Sequence, residues 1–421
     1  MSVWAATCRL LAKHLGSGER LDVLLETLPR QLPADEQKRC RHLLFGTVRH
    51  FGLLDSVLSE YLAKRPRAML RAVLLTGGFD LLEHPDDGPV IVHHWVGVAR
   101  QLTSAGEAKL VNAVLRRMPA GLAAVVGDKS CEPAALARRF SHPEWLVRRW
   151  ADRFGVRETV ELLEWNQQPA PVHARVVPGG ETDPALPWFF QPTTFPGFFR
   201  LEGLDWSVVE PMLAAGRIYL QDPATAVAPR MLAVAAGENV LDVCAAPGGK
   251  TFQLAEAAGP EGRVVAVDLK GARLERLRRN LSARPQHPVA VLGGDATTLS
   301  ENDLVAANLP MAYDAVLVDV PCSNTGVIRR RVDVKRRLRP ADVEGLARLQ
   351  LAILKQVSAF VRAGGRLVYS TCSLEKEENE DVVAAFVDGS GGDFALEQSE
   401  QVRPWRNGCD GAGVFLLRRM A

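Results

Sequence analysis

Residues 238–251 read ENVLDVCAAPGGKT. A short apolar run is followed by small residues, a glycine pair and the start of a helical pattern, the order of a strand, a tight turn and a helix. The same alternation returns downstream in RVVAVDL (263–269), PVAVLGG (288–294), YDAVLVDV (313–320) and GRLVYST (365–371). Near-continuous apolar strands separated by amphipathic helices predict a parallel sheet covered on both faces, a doubly wound (Rossmann-like) α/β domain. Ligands of such sheets bind beyond the carboxyl ends of the strands, near the switch point. Each polar motif below sits at one of those ends.

Toward the N-terminus the pattern changes. Residues 142–167 predict two helices broken at Gly155, and 168–205 form a Pro/Gly-rich stretch with β-like pieces such as VHARVV. Residues 1–145 read as all-helical, because apolar residues recur at three- and four-residue intervals, as in Leu43, Leu44, Thr47, Val48, Phe51, Leu54 and Leu58. Loop signals at 16–19, 32–35 and 84–88 divide this region into a bundle of six or seven short helices. Arg41 and Arg49 fall near one face of a helix expected over 35–63 and read as a solvated stripe. The expected division is a helical domain at 1–140, a small α+β connector at 141–220 and the α/β domain at 221–421.

Composition narrows the function classes. The 421 residues are 47% hydrophobic and 24% charged, ordinary globular values with material for a buried core. A net charge of +2 announces no nucleic-acid partner, yet residues 329–339, RRRVDVKRRLR, hold seven basic residues against one acid. Such a run is commonly a solvated surface; its place just beyond Cys322 suits contact with phosphates. The seven cysteines are dispersed and include no CxxC pair, which argues against a zinc site or a disulfide framework. With neither a signal-peptide pattern nor an apolar run of membrane-spanning length, the expected setting is a reducing cytoplasm without membrane contact.

The loop after the first strand is Cys244, Ala245, Ala246, Pro247, Gly248, Gly249 and Lys250. The glycines let backbone approach a ligand at a helix N-terminus. The second strand ends in Asp268, suited to ribose hydroxyls, and the third in Asp295, suited to an adenine amine. A phosphate-binding loop needs G-x-x-x-x-G-K-[ST], but Cys244 occupies the first glycine position, and no G-x-G-x-x-G is present. An adenosine cofactor without a pyrophosphate remains, and S-adenosylmethionine fits.

Two thiols follow. The fourth strand ends Asp319-Val-Pro-Cys322-Ser-Asn-Thr-Gly326, and the fifth ends Tyr369-Ser-Thr-Cys372-Ser-Leu. A lone cysteine is ordinarily a small core residue, but two at the ends of neighbouring strands point to thiol chemistry. Carbon 5 of cytosine is a poor nucleophile toward a methyl sulfonium. Thiolate addition at carbon 6, with a proton on ring nitrogen 3, makes carbon 5 enamine-like, and the thiolate is later expelled. Lys250 would favour a thiolate and Asp319 would serve nitrogen 3. Spacing leaves open which cysteine attacks.

DVCAAPGGKT (242–251), Asp268, Asp295, DVPCSNTGVIRR (319–330) and GGRLVYSTCSLEKEENEDVV (364–383) resemble, in order, the RNA cytosine-5 methyltransferases of the Sun/Fmu type. The resemblance covers roughly residues 140–421, and the helical N-terminus looks like a NusB-like RNA-binding domain. It implies Cys372 as nucleophile and Cys322 as the residue assisting release. It also implies residues 244–250, Asp268, Asp295 and Asp319 as the cofactor site, with no metal. The implied partner is RNA, small-subunit (16S) ribosomal RNA foremost, rather than DNA, bound by a monomer. Val320 and Asn324 stand where family members often carry Ala and Gly, a difference confined to the target loop. Methylation of transfer RNA or another ribosomal cytosine is the rival activity. A non-catalytic RNA-binding assembly factor is the rival of another class, disfavoured because it has no chemical need for Cys322, Cys372, Asp319 and Lys250 together.

Overall fold

The computed structural model describes residues 2–28, 33–177, 186–282 and 289–420. Two compact units emerge, one of residues 1–169 with 328–337, the other of residues 170–327 with 338–421. No single helix among the described residues is long and apolar enough to cross a membrane.

The first unit is all-helical, with more and shorter helices than the six or seven expected. Val3–Ser17, Leu21–Glu26, Ala34–Arg49, Phe51–Glu60, Ala68–Glu83, Gly88–Leu102, Ala105–Leu115, Met118–Gly127 and Pro133–Arg139 precede the pair Glu144–Phe154 and Val156–Gln167, which does break at Gly155. The helix expected over 35–63 is two helices meeting at His50, whose φ of −97° and ψ of 13° leave the helical range. The break lets Leu43, Leu44 and Val48 on one side, and Leu54, Val57 and Leu58 on the other, enter one core around the buried Ala68–Glu83 helix. Two loop expectations also shift. Leu32 lies outside the described residues, while Ala34 and Asp35 are already helical behind Pro33, and Pro85–Asp87 form a 3-10 turn. Trp95 is fully buried, and its indole N–H donates to Asp80 Oδ2 at 2.9 Å, as a buried donor requires. Arg41 is exposed but Arg49 is not, so the two do not form one solvated stripe.

The basic run departs furthest from expectation. Residues 328–337 pack into this helical unit instead of lying free along its surface. Val332 joins the helical core, and Val334 and Lys335 are buried. The Lys335 ammonium donates to the carbonyls of Arg49 (2.8 Å) and Phe140 (3.4 Å), each just at or past a helix C-terminus, where a cation complements the helix dipole. Burial, then the Arg49 charge, pushes its pKa well below the ordinary lysine value. Arg329 lies 3.9 Å from the Trp165 ring centroid and Arg336 4.0 Å from that of Phe51. Both guanidiniums are thus in cation–π contact within the helical unit.

The second unit contains two sheets. Strands β1 (Val172–Val176), β2 (Phe190–Pro192), β3 (Phe198–Leu201) and β4 (Ile218–Leu220) form an antiparallel sheet in the order β2-β3-β1-β4. Of the Pro/Gly-rich stretch, residues 178–185 lie outside the described residues. The larger sheet comprises β5 (Asn239–Val243), β6 (Arg263–Asp268), β7 (Val289–Gly293), β8 (Tyr313–Asp319), β9 (Val361–Thr371), β10 (Phe394–Val402) and β11 (Ala412–Arg419). Its order is β10-β11-β9-β8-β5-β6-β7. The five anticipated strands are its parallel part. The antiparallel strands β10 and β11, not foreseen, extend it beyond β9. Buried Leu241, Val243, Val316 and Val318 fill one face and Val240, Leu317 and Val368 the other, the signature of strands covered on both sides.

One bond ties β5 to the next helix, Gly249–Ala258. The Thr251 hydroxyl donates to Asp242 Oδ2 at 2.5 Å, while Asp242 Oδ1 is buried with no partner among the described residues. Burial lifts the Asp242 carboxyl to about 7, against the downward pull of the Thr251 hydrogen bond.

Two predictions follow from this packing. Val332→Asp puts a carboxylate into the helical core and should cost several kcal/mol; a melting temperature matching wild type would show that the segment is not part of that core. The folded state holds the Asp242 proton more tightly than the unfolded chain does. Its stabilising effect is therefore complete below the ordinary carboxyl pKa and is lost as pH rises through about 7. Asp242→Asn should thus gain thermal stability relative to wild type between pH 5 and pH 8, and parallel melting curves across that range would refute this assignment.

Candidate active site

The carboxyl ends of β5, β6, β7, β8 and β9 carry the polar groups. After β5 the backbone turns sharply: Cys244 has φ 62° and Gly248 φ 105°. A Cβ on Gly248 would approach Leu277 Cδ1 at 3.0 Å, so the turn needs glycine for both conformation and space. The loop is anchored from β6, since the Ala246 N–H donates to Asp268 Oδ2 at 2.8 Å and the Ala245 N–H to the Val267 carbonyl at 3.1 Å. Asp268 is itself buried, with the Leu269 N–H on Oδ1 (2.8 Å) and Arg273 on Oδ2 (3.2 Å). Cys244 is not a reactive thiol: burial, then the Asp268 and Asp319 charges, push it up to about 12.

Beyond β7 lies a cavity of about 660 Å³, lined by Leu269, Lys270, Gly293, Gly294, Asp295 and Thr298 among others. Asp295 is exposed, and its Oδ1 accepts from the Thr297 N–H (2.9 Å) and hydroxyl (2.8 Å), which hold its carboxyl below the usual range. A cavity floored by glycine backbone and edged by the carboxylates of Asp295 and Asp303 suits a flat heterocycle with an exocyclic amine. An anchored glycine loop and a further acid lie at the adjacent strand ends. The residues fit S-adenosylmethionine.

The other polar cluster joins β8 and β9. Lys250 Nζ lies 2.6 Å from Asp319 Oδ2, and the Ser370 hydroxyl donates to Asp319 Oδ1 at 2.7 Å. Burial alone would lower the Lys250 pKa; the Asp319 carboxylate beside it, with Cys372 adding, leaves it raised, so it stays an ammonium. The Cys322 and Cys372 sulfurs stand 2.8 Å apart. The Cys372 N–H points at Cys322 Sγ (3.3 Å), and the Cys372 thiol faces Asn324 Oδ1 (3.5 Å). The hydrogen bond with Cys372, reinforced by burial, pushes the Cys322 thiol well above its ordinary range. The loops approach backbone to backbone at Gly326, whose N–H donates to the Cys372 carbonyl at 3.0 Å, and a Cβ there would lie 2.8 Å from that carbonyl.

Thus Cys322, Cys372, Asp319 and Lys250 come together, and Asp268 anchors the 244–250 loop. Asp295 stands at the next strand end, on the cavity. Sequence reading missed Ser370, Gln350 and Glu378. Ser370 abuts a motif residue, a usable signal; Gln350 and Glu378 sit in segments that look solvated. No group of three metal-ligating side chains occurs among the described residues.

The chain is similar to known proteins over most of its length. The 16S rRNA methyltransferase RsmB/F family matches residues 229–404, and the NusB family matches residues 7–119. A probable ribosomal RNA small subunit methyltransferase B of Synechocystis is 30% identical, covering 87% of this chain and 84% of its own. Ribosomal RNA small subunit methyltransferase B of Serratia proteamaculans is 29% identical, covering 97% of this chain and 96% of its own. Among solved structures, PH0851 shares the fold with a TM-score of 0.78 at 22% identity, covering 100% of this chain and 99% of its own. A NusB-type bundle joined to an S-adenosylmethionine-dependent methyltransferase domain, similar over most of its length to these proteins, places this chain in the family of RNA methyltransferases that includes ribosomal RNA small subunit methyltransferase B.

Proposed function

We propose that this chain methylates carbon 5 of a cytosine in 16S ribosomal RNA, with Cys372 as the nucleophile and Cys322 assisting release of the product. The observation that carries this reading is the pair of sulfurs 2.8 Å apart beside the Lys250–Asp319 ion pair. Two thiols have no use in methylating a ring nitrogen or a ribose oxygen. They suit a base that must first be activated by addition.

The division of labour is the one the family resemblance implies. It is supported by Cys372 lying within the field of the Lys250 ammonium, and by the hydrogen bond with Cys372 and burial, which raise the Cys322 thiol. The Cys372 thiolate adds to carbon 6. Asp319, fixed on one oxygen by Lys250 and on the other by Ser370, faces ring nitrogen 3 and stabilises its proton as the ring becomes an enamine. S-adenosylmethionine supplies the electrophilic methyl group. Cys322, retaining its proton, orients a solvent water that takes the carbon 5 proton; the electron pair of that C–H bond restores the carbon 5–carbon 6 double bond, Cys372 leaves carbon 6 as a thiolate, and nitrogen 3 gives its proton up to Asp319. In this reading the 244–250 loop holds the cofactor's amino-acid portion, Asp268 its ribose and Asp295 its adenine. Residues 1–140 form the RNA-gripping domain, 141–220 the connector and 221–421 the catalytic domain. A pocket of this kind takes a cytosine that is unpaired or splayed from its helix.

Cys372→Ala should lower methyl transfer by roughly 10³-fold or more while cofactor affinity is kept. Cys322→Ala should accumulate a protein–RNA adduct that survives denaturing gel electrophoresis. Adduct from Cys372→Ala, and none from Cys322→Ala, would reverse the roles. Bisulfite sequencing of 16S ribosomal RNA from a deletion strain should show one cytosine losing protection. An unchanged 16S profile, with a loss on transfer RNA, would move the substrate.

A further inference from the structure

Beneath the thiol pair lies a polar network that the reaction scheme does not use. Its centre is Glu378, fully buried in the 3-10 turn Lys376–Glu378 that follows β9. One carboxylate oxygen, Oε1, accepts from the Ser323 N–H (2.9 Å) and from Gln350 Nε2 (2.8 Å). The other, Oε2, accepts from the Ser373 hydroxyl (2.5 Å) and from the Ser323 hydroxyl. Gln350 Nε2 also donates to the Pro321 carbonyl at 2.9 Å, and the Tyr369 hydroxyl donates to the Glu378 carbonyl at 2.6 Å.

The placement of these partners is informative. Pro321 and Ser323 flank Cys322 in the chain, and Ser373 directly follows Cys372. One side chain therefore holds the backbone on both sides of the first cysteine, directly or through Gln350, and the residue next to the second. Glu378 is thus bonded to both thiol-bearing loops, as is the Thr325 hydroxyl, which bridges Ser323 to Ser373 and accepts from the Leu374 N–H. The donor count also fits a carboxylate, with four donors on two oxygens. Hydrogen bonds to a charged acceptor are roughly twice as strong as neutral ones, and four of them converge on this one side chain. An apolar residue would fill the space without that directionality, and burying an acid for packing alone is costly.

We infer that Glu378 is a positioning residue that holds Cys322 and Cys372 at reacting distance from a common base. This rests on the reading that both thiols serve one reaction. The thiolate must reach carbon 6 while the second sulfur stays beside it, and a misplacement near 1 Å costs about 100-fold in rate. Glu378 touches neither sulfur; it acts through Ser323, Ser373 and Gln350.

The spacing of the thiols can be read without RNA. Phenylarsine oxide condenses with two close thiols, forming two As–S bonds and releasing one water. Wild type should bridge Cys322 to Cys372, located by mass spectrometry after digestion. Glu378→Ala should lose the bridge, keep cofactor affinity and the KM for RNA, and lower kcat by about 100-fold. Glu378→Gln should recover most of both, because its oxygen can keep the Ser323 and Gln350 N–H donors while the serine hydroxyls rotate to accept from its amide. Should Glu378→Ala fail to fold, the Ser323→Ala/Ser373→Ala double variant removes two of the same donors and should show the same losses. Folded variants that still bridge the arsenical, whatever their methylation rate, overturn the positioning role. Absence of a trapped adduct from Cys322→Ala in the otherwise native chain would instead count against the covalent reading, leaving the arsenical result intact.

Discussion

The parallel register of β8 against β9 is the constraint on which the rest of the site depends. Val318 pairs with Tyr369 and Asp319 with Ser370. That alignment brings the Ser370 hydroxyl onto the Asp319 carboxylate, and the chain then needs only two or three further residues to bring the two sulfurs together. A strand slipped by one residue would turn every side chain to the opposite face. Buried Val316 and Val318 on one side and Leu317 and Val368 on the other make such a slip costly. The hydrophobic alternation that stabilises the sheet is thus the same property that aims the polar groups at its edge.

Around this edge the charge balance is uneven. Asp242 and Asp319 act on one ammonium, Lys250, while Asp268 pairs with Arg273, and two of the three nearby cysteines, Cys244 and Cys322, are kept as neutral thiols. An excess of carboxylate is a suitable reception for a cofactor that carries a sulfonium. At Asp242, the most deeply buried of the three, burial raises the affinity for a proton, and the neighbouring Asp319 and Asp268 charges add to it.

Much of this was legible in the residues. β5, β6, β7, β8 and β9 are apolar runs flanked by turns, and the motif residues lie where the strand-end rule puts them. The edge strand β10 was not read because Phe394–Val402 carries glutamates and a serine on an exposed face and lacks a continuous apolar run, whereas β11 does hold one, Ala412–Leu417, and was overlooked. The helix break at His50 has no proline to announce it, and the nearby Gly52 lies inside the second helix instead of at the break. Glu378 was hidden for the opposite reason. It lies in Glu375-Lys376-Glu377-Glu378, a run whose composition reads as solvated, and only the fold shows that two of its members, Glu375 and Glu378, are buried. The basic run misled likewise, since the buried valines Val332 and Val334 sit among cations that suggested a surface.

The inserted segment also bears on how the chain is made. The core of the helical unit includes Val332, and the carbonyls of Arg49 and Phe140 are capped by Lys335. Protein synthesis delivers domains from the N-terminus onward, and each ordinarily closes as it emerges. Here the first unit to leave the ribosome cannot reach its final packing until four strands of the large sheet, β5 to β8, have followed it out, because the missing piece is encoded after them. The two units are therefore linked in time during biogenesis, and a nascent chain halted before residue 328 would present a helical bundle with its last core position still unfilled.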